Sequence, residues 1–305
     1  MDFSGFSLFE NNNCFHLSSL FPAILWLFAE KGVLLQTNEE VLLQMKGEVP
    51  LQVKIIETMI TSDCIVIIPT YNEKENIEKI IRAVFGLEKS FHILVIDDGS
   101  PDGTAGIVKG LMADEFMDRL FMVERTGKLG LGTAYIAGFR WALERGYDYI
   151  FEMDADFSHD PQDLPRLYGA CHDGGYDMAI GSRYVSGVNV VNWPMSRVLM
   201  SYFASKYVRM VTGFPIHDTT AGFVCYKRCV LKTIELDRIR FKGYGFQIEM
   251  KFTAWRIGFK IKEVPVIFVN RKEGVSKMSG GIFGEAFFGV MRLRWDGWTR
   301  KYPAA

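Results

Sequence analysis

The sequence has few cysteines, and their spacing gives no support to two common kinds of site. Five cysteines occur among 305 residues, and no two of them form a Cys-x-x-Cys pair. Neither a zinc ribbon nor a dithiol redox centre is therefore indicated. We expect reduced, buried thiols of the kind found in cytosolic proteins.

The sequence also lacks an apolar run long enough to span a bilayer, which takes about 18–20 residues. The closest stretch, Leu17 to Ala29, contains Pro22 and is followed by Glu30. The chain opens without the basic residues that begin a signal peptide. We therefore expect a soluble chain, or one attached to a membrane surface without crossing it.

Neither sign of charge is in clear excess. Lys and Arg number 35 and Asp and Glu number 36, for a net charge of −1, whereas nucleic-acid-binding proteins usually carry a positive excess. We expect no nucleic-acid partner. A phosphate-binding P-loop motif is absent, and Gly130-x-Gly132 has Tyr135 where a dinucleotide fold needs a third glycine. Residues Gly127 to Gly132 instead predict a flexible turn near a site.

Strands and helices alternate regularly from residue 64 onward. The strands predicted from apolar runs are Cys64 to Ile68, Ile93 to Ile96, Leu120 to Val123 and Tyr149 to Met153. Between the first two, Ile77, Ile80, Ile81 and Val84 mark one face of a helix. Asn72 and Glu75 have the spacing of a capping box before it. This alternation predicts an α/β domain with a parallel sheet.

The first 58 residues lack this alternation and carry none of the glycine-acid turns that follow the later strands. One interpretation is that the native chain begins near Met59. The other is a genuine helical N-terminal extension, and the sequence leaves both open. Residues 59–305 form the predicted α/β domain, which ends in an amphipathic segment.

Acidic residues follow two of the strands that are predicted to be buried. Asp98 follows the second strand, and Asp154 and Asp156 follow the fourth. In an open parallel sheet, ligands bind beyond the carboxyl ends of the strands, and alternation directs Asp154 and Asp156 to the same side. Two carboxylates there suit a hard cation, Mg²⁺ or Mn²⁺, that takes its remaining ligands from substrate phosphates and water.

Five motifs occur in order between residues 63 and 295. They are Pro69-Thr70-Tyr71-Asn72-Glu73, Asp97 to Thr104, Asp154 to His159, Gly181-Ser182-Arg183-Tyr184, and Arg271 to Met278. Together they resemble the dolichyl- and polyprenyl-phosphate mannosyltransferases. The resemblance implies the α/β GT-A nucleotide-sugar transferase fold, with a mostly parallel central sheet and flanking helices.

The resemblance also implies a set of site residues. Those that would bind the donor are Pro69, Tyr71, Glu73, Ile96, Asp98, Asp154, Ala155, Asp156, Arg183, Arg271 and Lys277. Asp156, Arg183 and Arg271 would act on the reacting groups. Asp154, Asp156 and Ser158 would hold the metal, although some relatives have Gln at the position of Ser158. Gly274 and Ser276 predict that the Arg271 to Met278 loop closes over the donor.

The implied reaction moves mannose from GDP-mannose to a polyprenyl phosphate (dolichyl or undecaprenyl) with inversion. A phosphate monoester with a second pKa of about 6 is mostly a dianion at pH 7, so no catalytic base is assigned. Apolar residues flanked by basic residues at Val198 to Arg209 and Ile282 to Arg294 predict peripheral contact with the cytoplasmic face of a membrane. Small membrane-anchoring subunits occur with some relatives.

Two alternatives stay open at this stage. One is a transferase of the same fold that uses UDP-glucose or another donor, because no spacing selects guanine over uracil. The other is a non-catalytic nucleotide-binding protein. The combination of Asp154 and Asp156 with Arg183, Arg271 and Lys277 favours an enzyme.

Overall fold

A computed structural model describes residues 62–243, 245–270, 281–299 and 302–303, with residues 281–288 and 298 described by their backbone alone. The predicted extension over residues 1–58 lies outside these ranges. The predicted loop from Arg271 to Met278, which includes Lys277, lies outside them as well.

Strands and helices alternate as the sequence predicts. The strands are β1 (Cys64–Thr70), β2 (His92–Asp97), β3 (Leu120–Glu124), β4 (Tyr149–Glu152), β5 (Met178–Ser182), β6 (Val190–Val191), β7 (Val224–Lys227), β8 (Ile261–Pro265) and β9 (Phe268–Val269). The helices are α1 (Ile77–Phe85), α2 (Thr104–Asp114), α3 (Leu131–Glu144), α4 (Leu164–His172), α5 (Met195–Thr212), α6 (Arg228–Thr233), α7 (Gly245–Ile257) and α8 (Gly281–Thr299). The four predicted strands are confirmed to within two residues at each end.

The described strands form a seven-stranded sheet in the order β3-β2-β1-β4-β7-β5-β8, and β6 pairs with β9 separately. Within the larger sheet only β7 runs antiparallel to its neighbours, so the predicted mostly parallel α/β architecture is confirmed. Thr70 pairs with Asp97 and Ile67 with Glu152. This register brings the carboxyl ends of β1, β2 and β4 to one edge of the sheet.

Both faces of the sheet are covered, which explains the continuous apolar runs in β1 and β2. Ile65 and Ile67 lie in one buried cluster with residues of α3, and Val66 and Ile68 lie in the other with residues of α1. The predicted apolar face of α1 is fully buried. Burying one such aliphatic side chain contributes about 1.5–3 kcal/mol.

The predicted capping box of Asn72 and Glu75 is wrong. The helix begins at Ile77 with Asn76 as its N-cap residue, and Asn72 has a positive φ of 56°. The reason is a competing set of partners from the loop after β2. The backbone N–H of Asn72 donates to Ser100 Oγ at 3.0 Å. The next two backbone N–H groups donate to Thr104 Oγ1, at the start of α2, and to Asp102 Oδ2. These bonds tie together the two loops that border the predicted nucleotide site.

Candidate active site

The donor-binding residues predicted on β1 and β2 lie along one stretch of the sheet edge. They are Pro69, Tyr71, Glu73, Ile96 and Asp98. Pro69 is the register partner of Ile96, and the backbone N–H of Asp98 donates to the carbonyl of Thr70 at 3.0 Å. These loops therefore form a continuous border at the carboxyl end of the sheet.

Asp98 makes a largely buried ion pair with Arg125, a residue that sequence reasoning missed. Arg125 Nε lies 2.6 Å from Asp98 Oδ1, and Arg125 Nη1 donates to Thr133 Oγ1 at 2.9 Å. Arg125 directly follows β3, so the strand-end rule that identified Asp98 could also have found it. The pair fixes the orientation of the Asp98 carboxylate.

The predicted glycine turn lies beside the same border. The Lys128 ammonium is 5.2 Å from the centre of the Tyr71 ring, within the range of a cation–π contact. Gly130 has a φ of 105°, and a Cβ at that position would lie 3.1 Å from the carbonyl oxygen of Lys242. Both the backbone conformation and this close approach explain the glycine.

The two acids after β4 line a single cavity of about 460 Å³, as does Ser158. Asp156 Oδ1 accepts the backbone N–H of Ser158 at 3.1 Å. Ser158 Oγ is buried and has no hydrogen-bond partner among the described residues. An unsatisfied hydroxyl that lines the same cavity as two carboxylates fits a hard divalent cation, for which oxygen is the usual ligand atom.

Within the part of the chain that the structure describes, no three His, Cys, Asp or Glu side chains are grouped to hold a metal ion. A cation at Asp154, Asp156 and Ser158 would therefore depend on substrate and water for its other ligands. That arrangement is common for Mg²⁺, which is bound by few carboxylates together with substrate phosphates.

His159 supports the loop that carries the acids. Its Nδ1 accepts the backbone N–H of Asp154 at 3.2 Å, and its ring stacks on Phe223 with 4.9 Å between centres. Burial lowers the pKa of His159 to about 4, so the imidazole is neutral at pH 7. Phe157, in the same loop, has a φ of 57°, a strained conformation for a non-glycine residue.

Arg183 follows β5 and lines the cavity, but its guanidinium is already clamped by Asp218. Nε donates to Asp218 Oδ2 and Nη2 to Asp218 Oδ1, each at 2.7 Å. Burial opposes both charges, yet mutual attraction raises the pKa of Arg183 and lowers that of Asp218. Arg183 also lies 5.4 Å from the Phe268 ring. The arginine is therefore held rigidly, rather than being a mobile charge.

A second arginine of the cavity, Arg197, was not predicted. Its guanidinium lies 4.0 Å from the centre of the Trp193 ring, and Nη1 donates to Asn270 Oδ1 at 2.9 Å. Arg197 is in the first turn of α5, and nothing in its local sequence distinguishes it from the other bases of that helix.

Helix α5 also contributes apolar side chains to the cavity lining. Its lining side chains include Met200, Phe203, Ala204, Tyr207 and Val208. Met200 and Phe203 are also exposed, Phe203 by 56%, so the cavity reaches the protein surface there.

The exposed part of α5 forms what we call the apolar surface. It consists of Met195, Leu199, Met200, Tyr202, Phe203 and Met210. Helix α8 packs against α5 and adds exposed Met291 and Trp295. Exposed side chains of this size indicate an interaction surface. No helix among the described residues is long and apolar enough to cross a bilayer.

A buried polar network lies under the cavity. Gln247, which lines it, donates through Nε2 to Glu152 Oε2 at 2.8 Å and accepts through Oε1 from Lys251 Nζ at 3.3 Å. Burial raises the pKa of Glu152 to about 8 and lowers that of Lys251 to about 8. The nearby Glu249 instead accepts backbone N–H groups of the preceding loop. The sequence did not identify this network, because Glu152 lies 95 residues from Gln247.

The chain is similar to known glycosyl transferases. The model of glycosyl transferase family 2 matches residues 65–235. The chain is 50% identical over 234 residues to the polyprenol monophosphomannose synthase of Mycolicibacterium smegmatis, covering 75% of this chain and 86% of the relative. It is 48% identical to the undecaprenyl-phosphate mannosyltransferase of Micrococcus luteus, covering 76% and 95%.

Solved structures share the fold at lower identity. A glucosyl-3-phosphoglycerate synthase of Mycobacterium tuberculosis, in complex with Mn²⁺ and UDP, superposes with a TM-score of 0.56 at 17% identity, covering 79% of this chain and 81% of that one. A mannosyltransferase of Pyrobaculum calidifontis, in complex with GDP-Man and Mn²⁺, gives 0.51 at 19%, covering 81% and 67%. With the family match and the close relatives, the chain belongs to glycosyl transferase family 2, as an enzyme of its polyprenyl-phosphate mannosyltransferase group.

Proposed function

We propose that this enzyme transfers mannose from GDP-mannose to a polyprenyl phosphate with inversion, yielding a β-linked mannosyl phosphate lipid. The observation that carries the proposal is the mixed lining of one cavity. Asp154, Asp156 and Arg183 line it together with apolar side chains of α5, of which Met200 and Phe203 are exposed at the protein surface. Such a cavity suits a charged sugar donor and a lipid phosphate meeting at one point. The names of the two close relatives support mannosyl transfer to a polyprenyl phosphate.

On the donor side, we assign GDP-mannose to the loops after β1, β2 and β4. Asp154, Asp156 and Ser158 would hold Mg²⁺ or Mn²⁺, and the cation would neutralise charge on the diphosphate leaving group. The complex of the Pyrobaculum neighbour with GDP-Man and Mn²⁺ supports this choice. Arg271 and Lys277 remain proposed donor residues on the grounds of the sequence alone.

On the acceptor side, the lipid phosphate supplies its own nucleophile. Its second pKa of about 6 leaves it mostly dianionic at pH 7, so the site needs alignment more than a base. Arg183 and Arg197 both line the cavity and would orient the phosphate oxygen toward the anomeric carbon. Because Nε and Nη2 of Arg183 donate to Asp218 and Thr220, Nη1 is the nitrogen that Arg183 would offer to the phosphate. A single in-line displacement inverts the anomeric centre.

The lipid chain would leave along the apolar side chains of α5. The cavity reaches the apolar surface at Met200 and Phe203, and the exposed Lys206 on the same helix can meet anionic headgroups. We therefore propose peripheral attachment to the cytoplasmic face of a membrane, with the acceptor entering from the bilayer.

A donor and acceptor panel tests the proposal. The purified chain is supplied with Mn²⁺ and GDP-mannose, GDP-glucose or UDP-glucose, and either a polyprenyl phosphate or the unphosphorylated polyprenol. We expect transfer from GDP-mannose to the phosphate lipid alone, and NMR of the product should show a β-linkage. Preferred transfer from UDP-glucose, transfer to the free alcohol, or an α-linked product would each contradict it.

A further inference from the structure

Glu263, in the middle of β8, is the centre of a hydrogen-bond cluster outside the cavity lining. Its side chain is only 7% exposed. Oε1 accepts from Ser182 Oγ at 2.7 Å and from the backbone N–H of Asp218 at 3.0 Å. Oε2 contacts His217 twice, at the backbone N–H and at Nδ1, both at 2.8 Å. Four contacts use both oxygens of this carboxylate.

These contacts join the sheet to the loop that holds Arg183. Glu263 pairs with Ile180 in the parallel register of β5 and β8, and Ser182 is the last residue of β5. The Ser182 hydroxyl also accepts the backbone N–H of Val185 at 3.1 Å. The turn containing Arg183 is therefore anchored to Glu263 on one side.

The other side of the same anchor is Asp218. Glu263 accepts the backbone N–H of Asp218. The Asp218 carboxylate in turn accepts from the backbone N–H, Nε and Nη2 of Arg183 at 2.9, 2.7 and 2.7 Å. Thr220 Oγ1 accepts a further bond from Arg183 Nη2 at 2.8 Å. Both the backbone and the guanidinium of Arg183 thus depend on a loop that Glu263 fixes.

We propose that Glu263 is a positioning residue for the transfer reaction. Through Asp218, it orients the guanidinium of Arg183 toward the phosphate of the lipid acceptor. The proposal rests on the proposed function, which assigns Arg183 to that phosphate. Glu263 does not line the cavity and acts only through this chain of contacts. Small displacements of a group that aligns reactants reduce turnover strongly.

The chemistry of the cluster requires a carboxylate. Three of the partners of Glu263 are fixed donors or a hydroxyl that already accepts elsewhere. Glutamine has the same shape but replaces one acceptor oxygen with an NH₂ group. In either amide orientation, that NH₂ faces at least one backbone N–H, so the loop must shift.

A double-variant kinetic cycle tests the proposal with the full chain, GDP-mannose and polyprenyl phosphate. Glu263→Gln and Asp218→Asn should each lower kcat about tenfold, with the KM for GDP-mannose within twofold of wild type. Because both act through Arg183, the double variant should also lose about tenfold, and not the roughly hundredfold expected of independent effects. Glu235→Gln, which removes a surface carboxylate paired with Arg238, is the matched control and should match wild type.

Arg183→Lys separates the two proposals. Unchanged kcat and KM in that variant would contradict the role of Arg183 in the proposed function itself. An impaired Arg183→Lys with a wild-type Glu263→Gln, or with additive losses in the cycle, would overturn the role of Glu263. If Glu263→Gln does not fold, Ser182→Ala takes its place in the cycle, with coupling to Asp218→Asn as the expected result and additivity as the contradicting one.

Discussion

Removing the carboxylate of Asp218 should destabilise the fold far more than removing a carboxylate from a surface ion pair. Asp218→Ala leaves the Arg183 guanidinium buried without its bidentate partner, and it also removes the acceptor of the Arg183 backbone N–H. Breaking a buried pair from one side typically costs about 3–5 kcal/mol. That is a large share of a stability of about 5–15 kcal/mol.

A surface pair in the same protein provides the control. Asp237 pairs with Arg140, and the Asp237 side chain is 91% exposed. Exposed pairs are well solvated and contribute little to stability, so the free energy of unfolding of Asp237→Ala should equal that of wild type within error. The assay is equilibrium urea unfolding, in which a shifted midpoint at constant slope reports stability.

Replacing both members of the buried pair shows whether the fold, or only the reaction, requires the two charges. Asp218→Leu with Arg183→Met fills the space with apolar groups, and such replacements of buried pairs are often neutral or stabilising. We expect this double variant to regain most of the stability lost in Asp218→Ala while remaining inactive. A loss below about 1 kcal/mol in Asp218→Ala, which is less than a typical buried pair shows, would refute the argument that this pair is buried and mutually dependent.

Three further predictions concern packing, pH and the domain boundary. Gly138→Ala should destabilise the fold by about 1–3 kcal/mol, because a Cβ there would lie 2.7 Å from buried Ile67. Gly110→Ala, in open space on α2, should instead stabilise the fold by about 0.5–1 kcal/mol. Thermal unfolding of the two variants measures both changes. Burial lowers the pKa of His92 from 6.5 to about 4. Stability should therefore fall as pH drops from 6.5 to 4, and His92→Gln should remove up to about 1.4 kcal/mol per pH unit of that slope in urea titrations. A chain starting at Met59 should transfer mannose at the full-length rate, and loss of activity would assign residues 1–58 to the domain.

The parts of the fold that the sequence predicted are those in which burial acts locally. Strands β1 and β2 are apolar at nearly every position because both faces are covered, and α1 has one apolar face because only that face is buried. The Asp154 and Asp156 pair could be predicted for a related reason. A strand end fixes where its next residues lie, whatever the rest of the chain does.

The parts that could not be predicted depend on partners distant in the sequence. Asp218 lies 35 residues from Arg183, and no spacing rule joins them. The helix start was wrong because the loop after β2 supplied hydrogen-bond acceptors to the backbone near Asn72. Arg197 likewise became recognisable only when α5 was folded beside the cavity.

Metal-assisted mannosyl transfer at Asp154 and Asp156 requires both the cation and the Asp156 carboxylate. Both requirements are tested by the initial rate of mannolipid formation from GDP-mannose and polyprenyl phosphate in vesicles, measured for wild type and Asp156→Ala with Mn²⁺ or with EDTA. The wild type should be active only with metal. Asp156→Ala should lose at least about a hundredfold in rate while remaining folded, because it removes a metal ligand and the acceptor of one backbone hydrogen bond, that of the Ser158 N–H. Transfer by the wild type in EDTA, or near-full activity of Asp156→Ala with metal present, would contradict the account.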